Sequence, residues 1–235
     1  MRLKKDKTTN YFLIKTSMFL AFMLAQEFVG AGIHVVFTSA LIPKKFEERK
    51  QDYLKSLFRL RSFGLDPWIV EATHINRSFF DKVSSQVLYV KTNDLSISNK
   101  GVNEVMSMKA GIGSYPFDDN DTIIKLTGRY LLRDPFLINT IQATSEKYDA
   151  YVSYGKHFVS SNHIFTGCFA MKWKFFKRFL NEWDLEEAER ASIPVERALA
   201  EFVDANQLKA CALPSLHVLA KVFFSGDDES PLWEF

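Results

Sequence analysis

A short polar segment that could bind an anion follows an apolar run in the middle of the chain. Residues 122–126 (TIIKL) have the length and β-branched composition of a buried strand, and Thr127-Gly128-Arg129 comes directly after it. The planar guanidinium of Arg129 can make two parallel hydrogen bonds to a phosphate group. Gly128 would let the backbone approach a ligand closely. A surface turn with a solvated arginine is the alternative explanation of the same residues.

A second polar segment favours the anion-binding explanation. Residues 99–104 (NKGVNE) place polar and basic groups at the start of a predicted helix over residues 99–112. The first turn of a helix presents free N–H groups and a partial positive charge, which favour a bound anion. Lys125, four residues before Arg129, adds a further cation to the same region.

The elements that must position these residues alternate between strands and helices. The predicted strands are residues 33–40, 67–70, 87–90, 122–126, 150–154, 208–213 and 218–224, and the predicted helices are 46–63, 99–112, 134–147, 173–183 and 192–206. This alternation predicts an α/β fold with a single, mostly parallel sheet that is covered by helices on both faces. Ligands of such sheets bind at the carboxyl ends of the strands, where Thr127-Gly128-Arg129 is expected.

Composition and missing motifs exclude several classes of function. The 235 residues carry a net charge of only +2 with no long basic block, which argues against nucleic-acid binding. Cys168 and Cys211 lack the paired spacing of a zinc or redox site. The chain has no GxGxxG, P-loop, GxSxG or HExxH motif, so classical NAD enzymes, P-loop NTPases, α/β-hydrolases and zincins are not supported.

The amino terminus resembles a targeting segment. Residues 1–7 carry four basic side chains, and residues 16–25 form an uncharged apolar run that is too short to span a bilayer, which needs about 20 residues. We therefore predict a signal peptide or short signal-anchor over residues 1–31, followed by one domain over 32–235. This predicts a secretory or membrane-associated protein, with possible membrane association through the N-terminus. A buried first helix in a cytoplasmic protein is the alternative.

Four segments together resemble the glycosyltransferases of the GT-A fold. They are TSALIP after the first strand, NKGVNEV, DTIIKLTGRYLL and TGCFAMKW, and they are spread over residues 33–224. The resemblance implies a single GT-A-like domain that binds a nucleotide-sugar donor in its amino-terminal half. Its carboxyl-terminal half would bind the acceptor, which could be a glycan, a lipid-linked sugar or a protein.

The resemblance also implies roles for individual residues on the donor side. Thr38 and Ser39 would border the nucleotide, Asn99 and Lys100 would face the base or ribose, and Arg129 would approach the diphosphate. The complete donor site expected from sequence is Thr38, Ser39, Asn99, Lys100, Lys125, Thr127, Gly128 and Arg129.

On the acceptor side, Glu196 is the candidate for the base that takes the acceptor proton, with Arg129 assisting catalysis. A glutamate in a first helical turn is also favoured by the helix dipole, which is the alternative explanation. His163, Thr166 and Gly167 would line the acceptor pocket. His217 resembles a late histidine that some members offer to a metal or to the diphosphate, although a lone histidine beside apolar residues is more often structural.

The chain departs from the GT-A pattern at one position. Most members carry an Asp-x-Asp after the central strand to hold a divalent cation, whereas this chain has Thr127-Gly128-Arg129 there. Asp119-Asn120-Asp121 precedes the strand and is expected to be a solvated turn at the opposite end of the sheet. We therefore expect Arg129 and Lys125 to neutralise the diphosphate, with Mn²⁺ or Mg²⁺ optional.

Two other functions stay open at this point. The missing Asp-x-Asp is compatible with a secreted or membrane-associated nucleotide- or sugar-binding protein on the same fold that has lost catalysis. A methyltransferase or nucleotidyltransferase is a further alternative, which the absence of a glycine-rich first turn disfavours.

Overall fold

The structure is a computed structural model, and it describes residues 31–154, 163–221 and 232–235. Apart from Ala31, the predicted signal peptide or anchor over residues 1–31 lies outside these ranges, so it stays a prediction, as does the localisation that follows from it. Within the described ranges, no helix is both long enough and apolar enough to cross a membrane.

The described residues form two sheets, six α-helices and three short 3-10 helices. The strands are β1 Ile33–Ser39, β2 Trp68–Glu71, β3 Val87–Tyr89, β4 Thr122–Thr127, β5 Leu131–Leu132, β6 Ala150–Val152, β7 Cys168–Lys172, β8 Ala210–Ala212, β9 Val218–Lys221 and β10 Leu232–Glu234. The helices are α1 Phe46–Ser62, α2 Lys100–Gly111, α3 Phe136–Thr144, α4 Trp173–Glu182, α5 Leu185–Arg190 and α6 Val195–Ala205.

The larger sheet has the strand order β3-β2-β1-β4-β7-β6-β8. Six of these strands point in one direction, and β7 runs antiparallel between β4 and β6. Strands β5, β9 and β10 form a small second sheet. The predicted α/β class with a mostly parallel sheet is therefore confirmed.

Alternating side chains of the larger sheet build two cores, one on each face. On one face, Phe37 and Leu126 pack with apolar residues of α1 and α3, including Leu57, Leu60, Leu137 and Ile141. On the other face, Val36 and Ile123 pack with residues of α2, α4 and α6, including Val105, Met108, Phe176, Leu199 and Val203. Because neighbouring residues of a strand point to opposite faces, the apolar strands predicted from sequence are covered on both sides.

Most predicted elements are present with boundaries within a few residues, but β5, β7, β10 and α5 were not predicted, and β8 is shorter than predicted. The residues of β7 were not predicted as a strand, and α5 was not predicted because its sequence (LEEAER) is mostly charged. Its start is fixed instead by Asp184, whose side chain accepts a hydrogen bond from Glu187 N. The predicted strand 208–213 is reduced to the three residues of β8.

The acidic turn before β4 is not simply solvated, as the sequence suggested. Asp121 is only 8% exposed, and its carboxylate accepts hydrogen bonds from Gly32 N (2.6 Å) and Asp118 N (2.8 Å). Its Oδ2 also lies 3.1 Å from His34 Nε2. Asp121 thus ties the start of β1 to the start of β4. The register Ile33↔Thr122 places it at the amino end of these strands, as expected.

Gly128 is required by packing inside the protein. Its N–H donates to Thr38 O (2.9 Å), and a Cβ on Gly128 would lie 2.4 Å from the Phe37 ring and 2.8 Å from Thr38 O. The close approach of the turn to β1 is thus a sufficient reason for glycine at this position, and close approach of a ligand to its backbone stays a prediction.

We expect Gly128→Ala to lower the free energy of unfolding by about 1–3 kcal/mol, because the new methyl group overpacks a rigid ring and a backbone carbonyl. Chemical denaturation measures this effect. Gly113→Ala is the matched control, since a Cβ there has nothing within 4 Å. Equal stabilities of the two variants would show that the turn shifts freely.

Candidate functional site

Polar side chains converge at the carboxyl ends of β1 and β4. The register pairs Thr38 with Thr127 and Val36 with Lys125, so Thr38, Lys125 and Thr127 lie on the same face of the sheet. This is the face covered by α2. The next residue of β1, Ser39, points to the opposite face, where α1 packs. The carboxyl edge of the sheet therefore carries two separate polar clusters.

Glu104 is the centre of the cluster on the α2 face. Its Oε1 accepts hydrogen bonds from Thr38 Oγ1 (2.5 Å) and Thr127 Oγ1 (2.9 Å), and it lies 2.8 Å from Lys125 Nζ. The side chain of Glu104 is 23% exposed, whereas that of Lys125 is 1% exposed. Glu104 thus pairs with a buried cation while part of its own side chain stays exposed at the carboxyl edge of the sheet.

Lys125 is used entirely inside the protein. Besides Glu104, its ammonium donates to Thr127 Oγ1 (2.9 Å) and to Thr166 O (2.7 Å). An ammonium has three N–H bonds, and these three partners use all of them. No N–H of Lys125 is therefore left over for the direct contact with a diphosphate that the sequence predicted.

The pKa of Glu104 reflects this environment. Burial on its own raises the pKa of a carboxyl group, but the charge of Lys125 and the hydrogen bonds from Lys125, Thr38 and Thr127 outweigh it. The net effect holds the pKa of Glu104 below its ordinary value. The residue is therefore a carboxylate at neutral pH, with its charge balanced by Lys125.

The acceptor-side residues predicted from sequence adjoin this cluster. Thr166 Oγ1 donates to Glu196 Oε1 (2.9 Å), while the carbonyl of Thr166 is the one that Lys125 binds. Gly167 O accepts from Thr127 N (2.8 Å). The structure thus links the two predicted halves of the site through a continuous path from Glu104 over Lys125 and Thr166 to Glu196.

Gly167 also allows two aromatic rings to pack beside the site. A Cβ there would lie 2.2 Å from the Tyr130 ring and 2.5 Å from the Phe165 ring. These rings stack with centroids 5.9 Å apart, and the Arg129 guanidinium lies 6.0 Å from the centroid of Tyr130. The turn that carries Arg129 is thereby packed against the segment that precedes β7.

The cluster on the α1 face is built around Glu71, which is fully buried at the end of β2. Its carboxylate accepts hydrogen bonds from Ser39 Oγ (2.5 Å) and Thr73 N (2.8 Å), with longer bonds from Leu41 N and His74 N. Ser39, predicted to border the nucleotide, therefore donates a hydrogen bond to the buried carboxylate of Glu71.

Two predicted donor residues lie at the start of α2 without joining the Glu104 cluster. Asn99 caps the helix, because its Oδ1 accepts from Gly101 N (3.1 Å) and its Nδ2 donates to Ile193 O (2.9 Å). Both polar atoms of its amide are thus occupied by the protein. Lys100 is exposed in the first turn of the helix.

The two predicted histidines are placed as follows. His163 is half-buried just before Ile164, whose N–H donates to Glu196 O. His217 directly precedes β9, and its Nδ1 lies 2.9 Å from Asp134 Oδ2 while its ring stacks on Phe136 with centroids 4.4 Å apart. No three His, Cys, Asp or Glu side chains of the described residues are grouped to hold a metal, so His217 is not part of such a group.

Sequence reasoning missed Glu104 and Glu71 as members of these clusters. Glu104 was part of the quoted segment NKGVNE, but nothing in one sequence shows that it reaches over to Lys125 on β4. Glu71 had a clearer signal, because an acidic residue that ends an apolar strand (WIVE) comes to the carboxyl edge of the sheet.

Neither a protein-family model nor a curated protein sequence matches the chain. Solved structures with a similar shape include a candidate nucleotide-diphospho-sugar transferase from Desulfovibrio desulfuricans G20, which is 14% identical in sequence. The match covers 78% of this chain and 80% of that chain, with a TM-score of 0.47. A candidate glucose-1-phosphate thymidylyltransferase from Bacillus anthracis is 11% identical, and the match covers 77% of this chain and 87% of that chain with a TM-score of 0.45.

A 4-diphosphocytidyl-2C-methyl-D-erythritol synthase from Anaerococcus prevotii DSM 20548 has 13% identity, 78% and 89% coverage and a TM-score of 0.45. Identities and TM-scores this low assign neither a family nor an activity to the chain.

We expect Glu104→Gln to lower the free energy of unfolding by about 3 kcal/mol at neutral pH, because it leaves Lys125 buried without a counter-charge. The pKa of Glu104 is lowered on folding, so its carboxylate stabilises the protein fully above its ordinary value of 4.5. This contribution is lost as the pH falls through the folded-state pKa. The stability gap between wild type and variant should therefore shrink on acidification.

Chemical denaturation at about pH 7 and about pH 4 measures this gap. Glu201→Gln is the control, since Glu201 forms an exposed pair with Arg197 and should change stability little. A gap that is the same at both pH values would contradict the ion-pair explanation.

Proposed function

We propose that the chain is a glycosyltransferase that moves a sugar from a nucleotide-sugar donor to a hydroxyl acceptor. The observation that supports this proposal best is the continuous path from Glu104 to Glu196 at the carboxyl edge of β1 and β4. Two partly exposed carboxylates and the Arg129 turn lie along this path at one edge of the sheet. Carboxylates suit sugar hydroxyls, and a guanidinium suits a diphosphate.

On the donor side, Glu104 and Arg129 have complementary roles in this proposal. Among the described residues, every side-chain contact to Glu104 uses Oε1, so Oε2 can accept a hydrogen bond from a hydroxyl of the donor. Thr38, Thr127 and Lys125 fix the orientation of this carboxylate. Arg129 stabilises the negative charge that grows on the diphosphate as it leaves.

On the acceptor side, Glu196 acts as the general base. In the described part of the chain its side chain is contacted by Thr166 at Oε1, which leaves Oε2 to take the acceptor proton. The acceptor oxygen then bonds to the anomeric carbon while the bond from that carbon to the phosphate oxygen breaks. The products are the glycosylated acceptor, the nucleoside diphosphate and a proton on Glu196.

The first test is a thermal-shift panel with UDP, GDP, CMP and ADP, each with and without Mn²⁺. One nucleotide should raise the midpoint, because a ligand that binds only the folded state stabilises it. Arg129→Ala should abolish the shift. The comparison with Mn²⁺ measures how far a divalent cation assists Arg129.

Absence of a shift with every nucleotide would overturn the proposal. A shift that is unchanged in Arg129→Ala would overturn the role of Arg129. Tight binding of a nucleotide sugar with no transfer and no hydrolysis would instead indicate a binding protein on this fold.

Glu196→Gln should lower the rate of nucleoside diphosphate release from the matching nucleotide sugar by about 10²-fold or more, because the variant has no base. Donor affinity should stay within about threefold of wild type, since Gln keeps the hydrogen bond from Thr166. Glu201→Gln, on the same helix, should release nucleotide at the wild-type rate. Equal rates for all three proteins would contradict the role of Glu196.

A further inference from the structure

The side chain of Tyr130 extends from the turn after β4 to the acceptor-side segment. Its ring stacks on Phe165 with centroids 5.9 Å apart, and it occupies the space that a side chain at Gly167 would need. A Cβ on Gly167 would lie 2.2 Å from Tyr130 Cε2 and 2.7 Å from Cδ2. Because Cε2 is bonded to the carbon that carries the hydroxyl, the ring edge next to the hydroxyl is the part that packs most closely on Gly167.

This packing places Tyr130 between the two proposed halves of the site. Its backbone N–H donates to Thr127 O (2.8 Å) in the donor-side turn. On the other side, Gly167 follows Thr166, whose hydroxyl donates to Glu196 Oε1 (2.9 Å). Because Tyr130 belongs to one segment and its ring packs on the other, its side chain lies where the two halves meet.

The Tyr130 hydroxyl is accessible and carries its proton. Among the residues that the structure describes, none forms a hydrogen bond with it. Unlike the hydroxyl of Tyr115, it is not enclosed by the protein, and the residue is partly exposed. Burial of much of the ring raises the pKa of Tyr130 above its ordinary value. The hydroxyl is therefore neutral at physiological pH and can donate a hydrogen bond.

A free O–H donor complements the other polar groups at this edge. A sugar hydroxyl both donates and accepts, so a site that binds it firmly offers an acceptor and a donor. The carboxylate oxygens that Glu104 and Glu196 leave unused within the described ranges are acceptors only. The threonine hydroxyls already bonded to these carboxylates are those of Thr38, Thr127 and Thr166. Tyr130 supplies an O–H that is not used in this way.

We propose that the Tyr130 hydroxyl binds a sugar hydroxyl, donating to its oxygen while one of the two carboxylates accepts a hydrogen bond from it. This inference rests on the proposed function and adds to it a binding residue that was not predicted from sequence. The chemistry recognised is a carbohydrate hydroxyl, which either the donor sugar or a sugar acceptor can supply. The phosphate groups of the donor take no part in this contact.

The test is calorimetric titration of the full chain with three kinds of ligand. They are the nucleoside diphosphate that gives the largest thermal shift, its glucose and galactose conjugates, and the methyl glycosides of glucose, galactose and mannose. Tyr130→Phe removes only the hydroxyl oxygen, so it should weaken binding of a sugar-bearing ligand by about three- to tenfold, as expected for one hydrogen bond. Binding of the nucleoside diphosphate should stay unchanged.

Tyr148→Phe is the matched control. Tyr148 is also partly exposed, but it precedes β6 at the opposite, amino edge of the larger sheet, so this variant should bind every ligand like wild type. Tyr130→Phe keeps the ring that packs on Phe165 and Gly167, and its thermal midpoint should stay near that of wild type. A loss of affinity then reports the lost contact and not a folding defect.

The ligand that loses affinity identifies the source of the hydroxyl. Weaker binding of a nucleotide sugar, with methyl glycosides unaffected, assigns the contact to the donor sugar. Weaker binding of a methyl glycoside assigns it to a sugar acceptor. Either result supports the inference.

The remaining outcomes separate this inference from the proposed function. If nucleotide sugars bind but Tyr130→Phe behaves like Tyr148→Phe, or weakens nucleoside diphosphate binding equally, the sugar contact is wrong and the proposed function stands. If a methyl glycoside binds through Tyr130 but no nucleotide binds, the sugar contact stands and the proposed function fails. If no ligand binds at millimolar concentration, both are overturned.

Discussion

The ion pair between Lys125 and Glu104 is the interaction on which the rest of the site depends. A lysine in the central strand of a sheet that is covered on both faces has no access to water, so its charge must be compensated inside the protein. Glu104 supplies the compensating charge from α2, and Thr166 supplies a carbonyl from the segment before β7. One buried cation therefore fixes a helix and a loop relative to the carboxyl end of β4.

This arrangement also explains why the carboxylates are held so firmly. Oε1 of Glu104 receives three donors, which leaves its side chain little freedom to rotate. Glu196 is attached through Thr166 to the same lysine. A catalytic or binding group held in this way needs little reorganisation when a ligand arrives, which is the condition under which electrostatic stabilisation is most effective.

The two faces of the sheet carry different polar groups. The α2 face carries a balanced pair of charges together with hydroxyl groups. The α1 face carries the fully buried carboxylate of Glu71, which is satisfied by backbone and hydroxyl donors. Side-chain alternation along β1 separates the two faces, since Thr38 and Ser39 point in opposite directions. The Arg129 turn lies at the edge where the faces meet, attached to β1 through Gly128.

The sequence by itself determined the fold class, and it predicted a site at the carboxyl edge of the sheet. Apolar runs of period two, helical periods and capping residues such as Asn99 are local signals, and they predicted most elements and the carboxyl edge where Thr38, Thr127 and Arg129 lie. Thr166, Gly167 and Glu196, which were predicted for the acceptor side, lie next to this edge. The roles expected for these residues stay predictions.

Only the tertiary structure decided which side chains meet. Glu104 reaches Lys125 across 21 positions of sequence, and Arg49 of α1 donates to Ala40 O after the end of β1; such contacts depend on strand order and helix packing. The structure likewise showed that Gly128 packs against the Phe37 ring and that the buried carboxylate of Asp121 connects the start of β1 with the start of β4. Local sequence patterns report the conformation of a segment, whereas charge pairing and close packing depend on distant segments that the fold brings together.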